Sequence, residues 1–154
     1  MSDFLLMDAM IKLRTPPKVF ERGLGYYHDG SVLSVIRWGN VLTAEVEGSE
    51  EEPYLVSVIF SANGIEEADC TCPYSEEWDG WCKHIVAALL FFRDEPGRTE
   101  ERSPLKARLE NLSREQLEGL LLTLTVRDPA LMLDLEERLT WLEESRPLKP
   151  NSPA

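Results

Sequence analysis

All three cysteines of this 154-residue chain lie within thirteen positions, and one of its two histidines follows just beyond. The run reads Cys70-Thr71-Cys72, nine residues, then Cys82-Lys83-His84. Few chemical uses fit such a cluster. An odd number of thiols cannot pair off completely, and a disulfide between the neighbours of Cys-x-Cys would be strained. A small secreted scaffold carries more cysteines than three. A redox dithiol uses Cys-x-x-Cys, which is absent. The competing reading, three small core residues beside a partly exposed histidine, has to treat the clustering as chance. Soft thiolates with an imidazole are what zinc selects, and four such ligands complete a tetrahedron. The cysteine usage also predicts a reducing compartment, read here as the cytoplasm.

The spacing is workable. Side chains at i and i+2 of a strand share a face, so Cys70 and Cys72 can present both sulfurs to one ion while Thr71 faces away. Pro73 then ends the strand. Cys82 and His84 fall at the start of an apolar helix, Ile85 to Phe92, where the positive end of the helix dipole favours a thiolate. Four protein ligands leave no open position, which predicts one structural Zn2+ rather than a catalytic one. His28, the spare histidine, reads as an exposed helix-end residue. No His-x-x-x-His pair and no His-x-Glu signature is present.

Around this cluster the hydrophobic period predicts an α+β fold. A short helix in residues 1–15, opened by Phe4, Leu5 and Met7, ends at Thr15-Pro16-Pro17. A second starts at Pro17 and stops at Gly30. Strands follow at Val32 to Trp38, Val41 to Val46, Tyr54 to Phe60 and Ile65 to Cys70, joined by Gly39-Asn40 and Asn63-Gly64 turns into a small antiparallel sheet of about four strands. Residues 16–93 are expected to form one domain around the cluster at 70–84, and 94–104, charged and with two prolines, read as a linker. Residues 105–144 read as a helical hairpin. Ser113 and Gln116 form a capping box before Leu117, Leu120, Leu121 and Leu124, and Asp128-Pro129 starts a helix bearing Leu131, Leu135, Leu139 and Leu142. Those leucines are expected to pack as a core rather than as a dimer seam. The tail, 145–154, is expected to be disordered. The chain has no internal repeat, no apolar run long enough to cross a membrane, and no basic region ahead of the apolar residues of Met1 to Asp8.

Cys70-Thr71-Cys72-Pro73-Tyr74 followed by Gly80, Cys82-Lys83-His84 and Ile85-Val86-Ala87 closely resembles the SWIM zinc finger, of the bacterial stand-alone type. Upstream, Arg22-Gly23, Tyr26-Tyr27, Gly30 and Val32 match the frame that precedes the finger, so the resemblance covers residues 16–93. It implies a strand pair and a helix holding one zinc ion through Cys70, Cys72, Cys82 and His84. It also implies a role in binding DNA or proteins, often beside helicase-like ATPases of the Swi2/Snf2 type.

Charge bears on that choice. The net charge is −12, and residues 49–100 hold 12 acidic side chains against 3 basic ones. The finger loop, Tyr74 to Trp81, carries three acids and no base. A protein partner, such as a Swi2/Snf2-type helicase or another nucleic-acid-processing factor, or a basic protein, is therefore the favoured expectation. Direct DNA binding through Arg14, Lys18, Arg22, Arg37 and Lys83 is the alternative. Nothing in the sequence pairs a nucleophile with a positioned base, so no enzyme is expected. Of the finger tryptophans, Trp81 is expected to pack and Trp78 is evenly balanced. Tyr26 and Tyr27 are expected to divide between core and surface.

Overall fold

The computed structural model describes residues 8–74 and 80–146. The predicted helix start at Phe4 to Met7, Trp78 and most of the finger loop, and the tail from Pro147 lie outside the described residues. The chain divides into two compact units, residues 1–108 and 109–154.

The first unit begins with α1 (Asp8–Leu13) and α2 (Pro17–His28). Pro17 sits in the first turn of α2, where its missing N–H costs nothing. Gly30 follows the helix at φ 77°, a left-handed position that a side chain would strain. Strands β1 (Val32–Trp38), β2 (Val41–Val46), β3 (Tyr54–Ser61) and β4 (Gly64–Cys70) then form an antiparallel meander. Alternation drives it: Tyr54, Val56, Val58 and Phe60 of β3 are buried while Leu55 and Ser57 face out. The β3–β4 turn is Ala62-Asn63, with Gly64 already paired to Ser61 at φ 133°.

The sheet has a fifth strand that the sequence reading missed. Residues 94–104, expected as a linker, contain a 3₁₀ turn (Pro96–Arg98) and β5 (Glu100–Arg102), which pairs parallel with β1. The sheet is therefore mixed, in the order β4-β3-β2-β1-β5. The strand gave no hydropathy signal because Glu100, Glu101 and Arg102 are all exposed and join the ladder without burying an apolar side chain.

Helix α3 (Lys83–Asp94) packs between this sheet and α2. Every residue from His84 to Phe91 is buried, which explains a helix apolar nearly all round but too short to cross a membrane. The approach of α2 is close. A Cβ at Gly23 would collide with the Val86 side chain and come within 3.0 Å of the Lys83 carbonyl.

Helix α4 (Leu105–Glu110) follows β5 in the chain. In the second unit, α5 (Arg114–Arg127) and α6 (Pro129–Glu144) are joined through Asp128 alone. Both predicted starts are present. The Gln116 N–H donates to Ser113 Oγ at 3.1 Å and the Ser113 N–H to Gln116 Oε1 at 2.9 Å, and Asp128 Oδ1 accepts from the Ala130 N–H at 3.0 Å. The leucines differ from expectation. Thr125 is buried and Leu117 and Leu135 half-buried, but Leu120, Leu121, Leu124, Leu131, Leu139 and Leu142 are exposed. Two helices alone offer each other only one stripe of cover. Among the described residues no helix is long and apolar enough to cross a membrane.

Candidate metal centre

The two halves of the cluster arrive from different elements. Cys70 ends β4, paired with Val56 of β3. The pairing then runs one residue further, since the Thr71 N–H donates to the Leu55 carbonyl and the Leu55 N–H to Thr71 Oγ1, both at 3.0 Å. The strand ends at Cys70 and the chain bends at Thr71 and Cys72, with Thr71 facing solvent while Cys70 and Cys72 are buried. Cys82 is the N-cap of α3, with an extended backbone and a carbonyl that accepts from the Val86 N–H. His84 lies in the first helical turn.

The side chains converge. Sγ of Cys70, Cys72 and Cys82 and the nearest nitrogen of His84 all lie within 4.8 Å of one another, and all four residues are buried. His84 Nδ1 is 3.8 Å from Cys70 Sγ and 3.7 Å from Cys82 Sγ. A tetrahedral ion with bonds of about 2.0–2.3 Å separates its ligands by roughly 3.5–3.8 Å, so these edges already suit zinc. No disulfide links the three cysteines. Cys82 is lowered to about 4, chiefly by the hydrogen bond from the Cys70 thiol, with His84 and the Ile85 N–H adding to it against the opposing effect of burial. Cys70 is raised, because it keeps the proton it shares with Cys82 and because it is buried. The two shifts have opposite signs because the two thiols share one hydrogen bond.

The surroundings of His84 were not legible from spacing. Its ring packs against Tyr54, at 4.7 Å between centroids, and nearly perpendicular to Tyr26, at 5.4 Å. With Nδ1 turned to the sulfurs, Nε2 is buried without a hydrogen-bond partner and faces the β2–β3 loop. A Cβ at Gly48 would lie 3.2 Å from Nε2 and collide with the Tyr54 ring. The ring is thus held by packing, in a cradle that only glycine at position 48 leaves open. A cavity of about 80 Å³, walled partly by Arg22, Tyr74 and Lys83, adjoins Cys82 and His84. That is well below the roughly 300 Å³ where small-molecule pockets begin.

Residues 54–92 match the family model of the SWIM zinc finger. The chain carries a SWIM finger. A zinc finger SWIM domain-containing protein 8 from Bos taurus is 28% identical over 124 residues, covering 78% of this chain and 9% of that protein. Its Homo sapiens counterpart gives the same identity over 78% of this chain and 7% of its own length. An uncharacterized protein of Methanocaldococcus jannaschii is 28% identical over 118 residues, 77% of this chain and 47% of that one. The chain thus spans less than half the length of these curated relatives. No solved structure matches it. The SWIM finger, with its cluster of three cysteines and one histidine, holds one structural zinc ion.

The remaining predicted residues are placed as follows. Trp81 is buried, as expected, with the Arg14 guanidinium 5.3 Å from the centre of its ring. Tyr26 and Tyr27 do not divide between core and surface, since both are half-buried, Tyr26 against His84 and Tyr27 against Phe91. His28 is exposed at the end of α2. Of the basic residues, Arg37 is 3.8 Å from Glu101 and lies over Phe92, Lys83 lies over Tyr26 and lines one cavity with Arg22, and Lys18 and Arg22 are exposed on α2.

Proposed function

We propose that Cys70, Cys72 and Cys82 through Sγ, and His84 through Nδ1, hold the zinc ion, and that the SWIM finger serves to bind a protein partner. The observation that carries this reading is the buried donor set. Four protein ligands leave no position for water or substrate, so the ion's work is to fix the surface above it rather than to catalyse. A groove of about 700 Å³ beside that surface, between the α1–α2 turn, β4 and Trp81, is lined by Glu66, Glu67 and Asp69, with Arg14 as the one base among the described lining residues, and its acidic excess suits a basic segment. A Swi2/Snf2-type helicase or another nucleic-acid-processing factor in the cytoplasm is the kind of partner proposed.

Affinity capture with the zinc-loaded chain, followed by identification of the bound proteins, tests this. A partner of that class held by the native chain and lost with Cys82→Ala is the expected result. Direct DNA binding is the second reading, favoured by Arg22 and Lys83 sharing a cavity wall with Tyr74. It requires a gel shift at low salt that weakens by about one log unit per log unit of salt for each phosphate neutralised.

A further inference from the structure

We infer that the C-terminal hairpin is a dimerisation element, and that its occupant is the α5–α6 hairpin of a second copy of this chain. The inference does not depend on what the finger binds. On α5, Leu117, Leu120, Leu121 and Leu124 recur at i, i+3, i+4 and i+7, and on α6, Leu131, Leu135, Leu139 and Leu142 recur at i, i+4, i+8 and i+11 with Met132 beside them. Each set is one face of its helix. Leu117 and Leu135 are half-buried, whereas the other seven of these residues leave 39–53% of their surface open.

Area and length both suit a second hairpin. At about 80 Å² of apolar surface for each half-exposed side chain, the seven offer roughly 550 Å² per chain and about 1,100 Å² for a symmetric pair, near the lower end of specific interfaces. The helices have 14 and 16 residues, about 21 and 24 Å long, so two hairpins can pack side by side along their full length as a four-helix bundle. A unit this small cannot supply the missing core alone. The polar flanks need no partner of their own: Arg114 pairs with Glu118 at 2.8 Å and Arg138 with Asp134 at 3.1 Å, each one turn apart on its own helix.

Charge gives the dimer a signature. Residues 114–144 hold three basic and eight acidic side chains, so two copies repel and added salt should strengthen the pairing rather than weaken it. Sedimentation of the full zinc-loaded chain across micromolar concentrations is the test. The expected result is a species of twice the 17.6 kDa chain mass, tightened by salt. Leu121→Glu with Leu124→Glu should give a monomer, while Leu122→Glu with Val126→Glu, on α5 but outside the stripe, should leave the dimer intact. A native chain that stays monomeric overturns the inference. So does a dimer that dissociates as salt rises, or one lost equally in both double variants.

Discussion

His84 shows how much one residue's setting can add to a ligand motif. The sequence supplies an imidazole two positions from a thiol, but the nitrogen it offers is set by Tyr54, Tyr26 and the missing side chain at Gly48. Gly48→Ala is expected to push Tyr54 against the ring and cost about 1–3 kcal/mol, seen both as a lower melting temperature and as weaker retention of zinc against a competing chelator. Cys82→Ala removes one of the four proposed ligands. Since zinc contributes on the order of 10 kcal/mol to the folding of small fingers, that variant is expected to lose the sheet and α3, with loss of near-ultraviolet dichroism as the measurement. The thiol pair sets the pH response. Cys70 is raised above its ordinary value and holds its proton at neutral pH, whereas zinc takes the thiolate, so binding must expel that proton. Zinc affinity is therefore expected to climb as pH rises through neutrality and to fall as pH drops. Calorimetry in buffers of different ionisation enthalpy would count the protons released, and zero would contradict the shared-proton picture.

At the scale of elements, legibility followed burial. β3 and α3 were readable because their residues alternate or bury completely, and the helix starts at Ser113 and Asp128 because capping is local chemistry. β5 was not, since Glu100 to Arg102 are charged and exposed and join the ladder without burying an apolar side chain. The clustering of Cys70, Cys72, Cys82 and His84, the proposed ligands, was legible because thiols and imidazole at those spacings have so few uses, while Tyr54 and Gly48 reach His84 only through the fold. Two elements give direct tests. Gly23→Ala is expected to force α2 away from Val86 at a cost of about 1–3 kcal/mol, measured by thermal unfolding of the zinc-loaded chain. Ser113→Ala removes one side of the capping box and is expected to cost about 1 kcal/mol, read in the helical signal of residues 109–146.

Across the whole molecule, the acidic excess has a place as well as a sum. Glu66, Glu67 and Asp69 lie exposed on β4, the outer strand of the sheet, and Glu50 to Glu52 on the loop before β3. Charge there keeps an open strand edge from pairing with other chains, and the same charge speeds the approach of a basic partner. Cys82 and His84 lie at the start of α3, and α3 is also the centre of the first unit's core. A finger that hung from the fold could empty without consequence. With Cys82 and His84 as the proposed ligands, the ion would hold the helix on which the rest is packed, so chains made in a zinc-starved cell would meet proteases before they met partners. The abundance of the protein would then follow the metal supply, with no regulator needed.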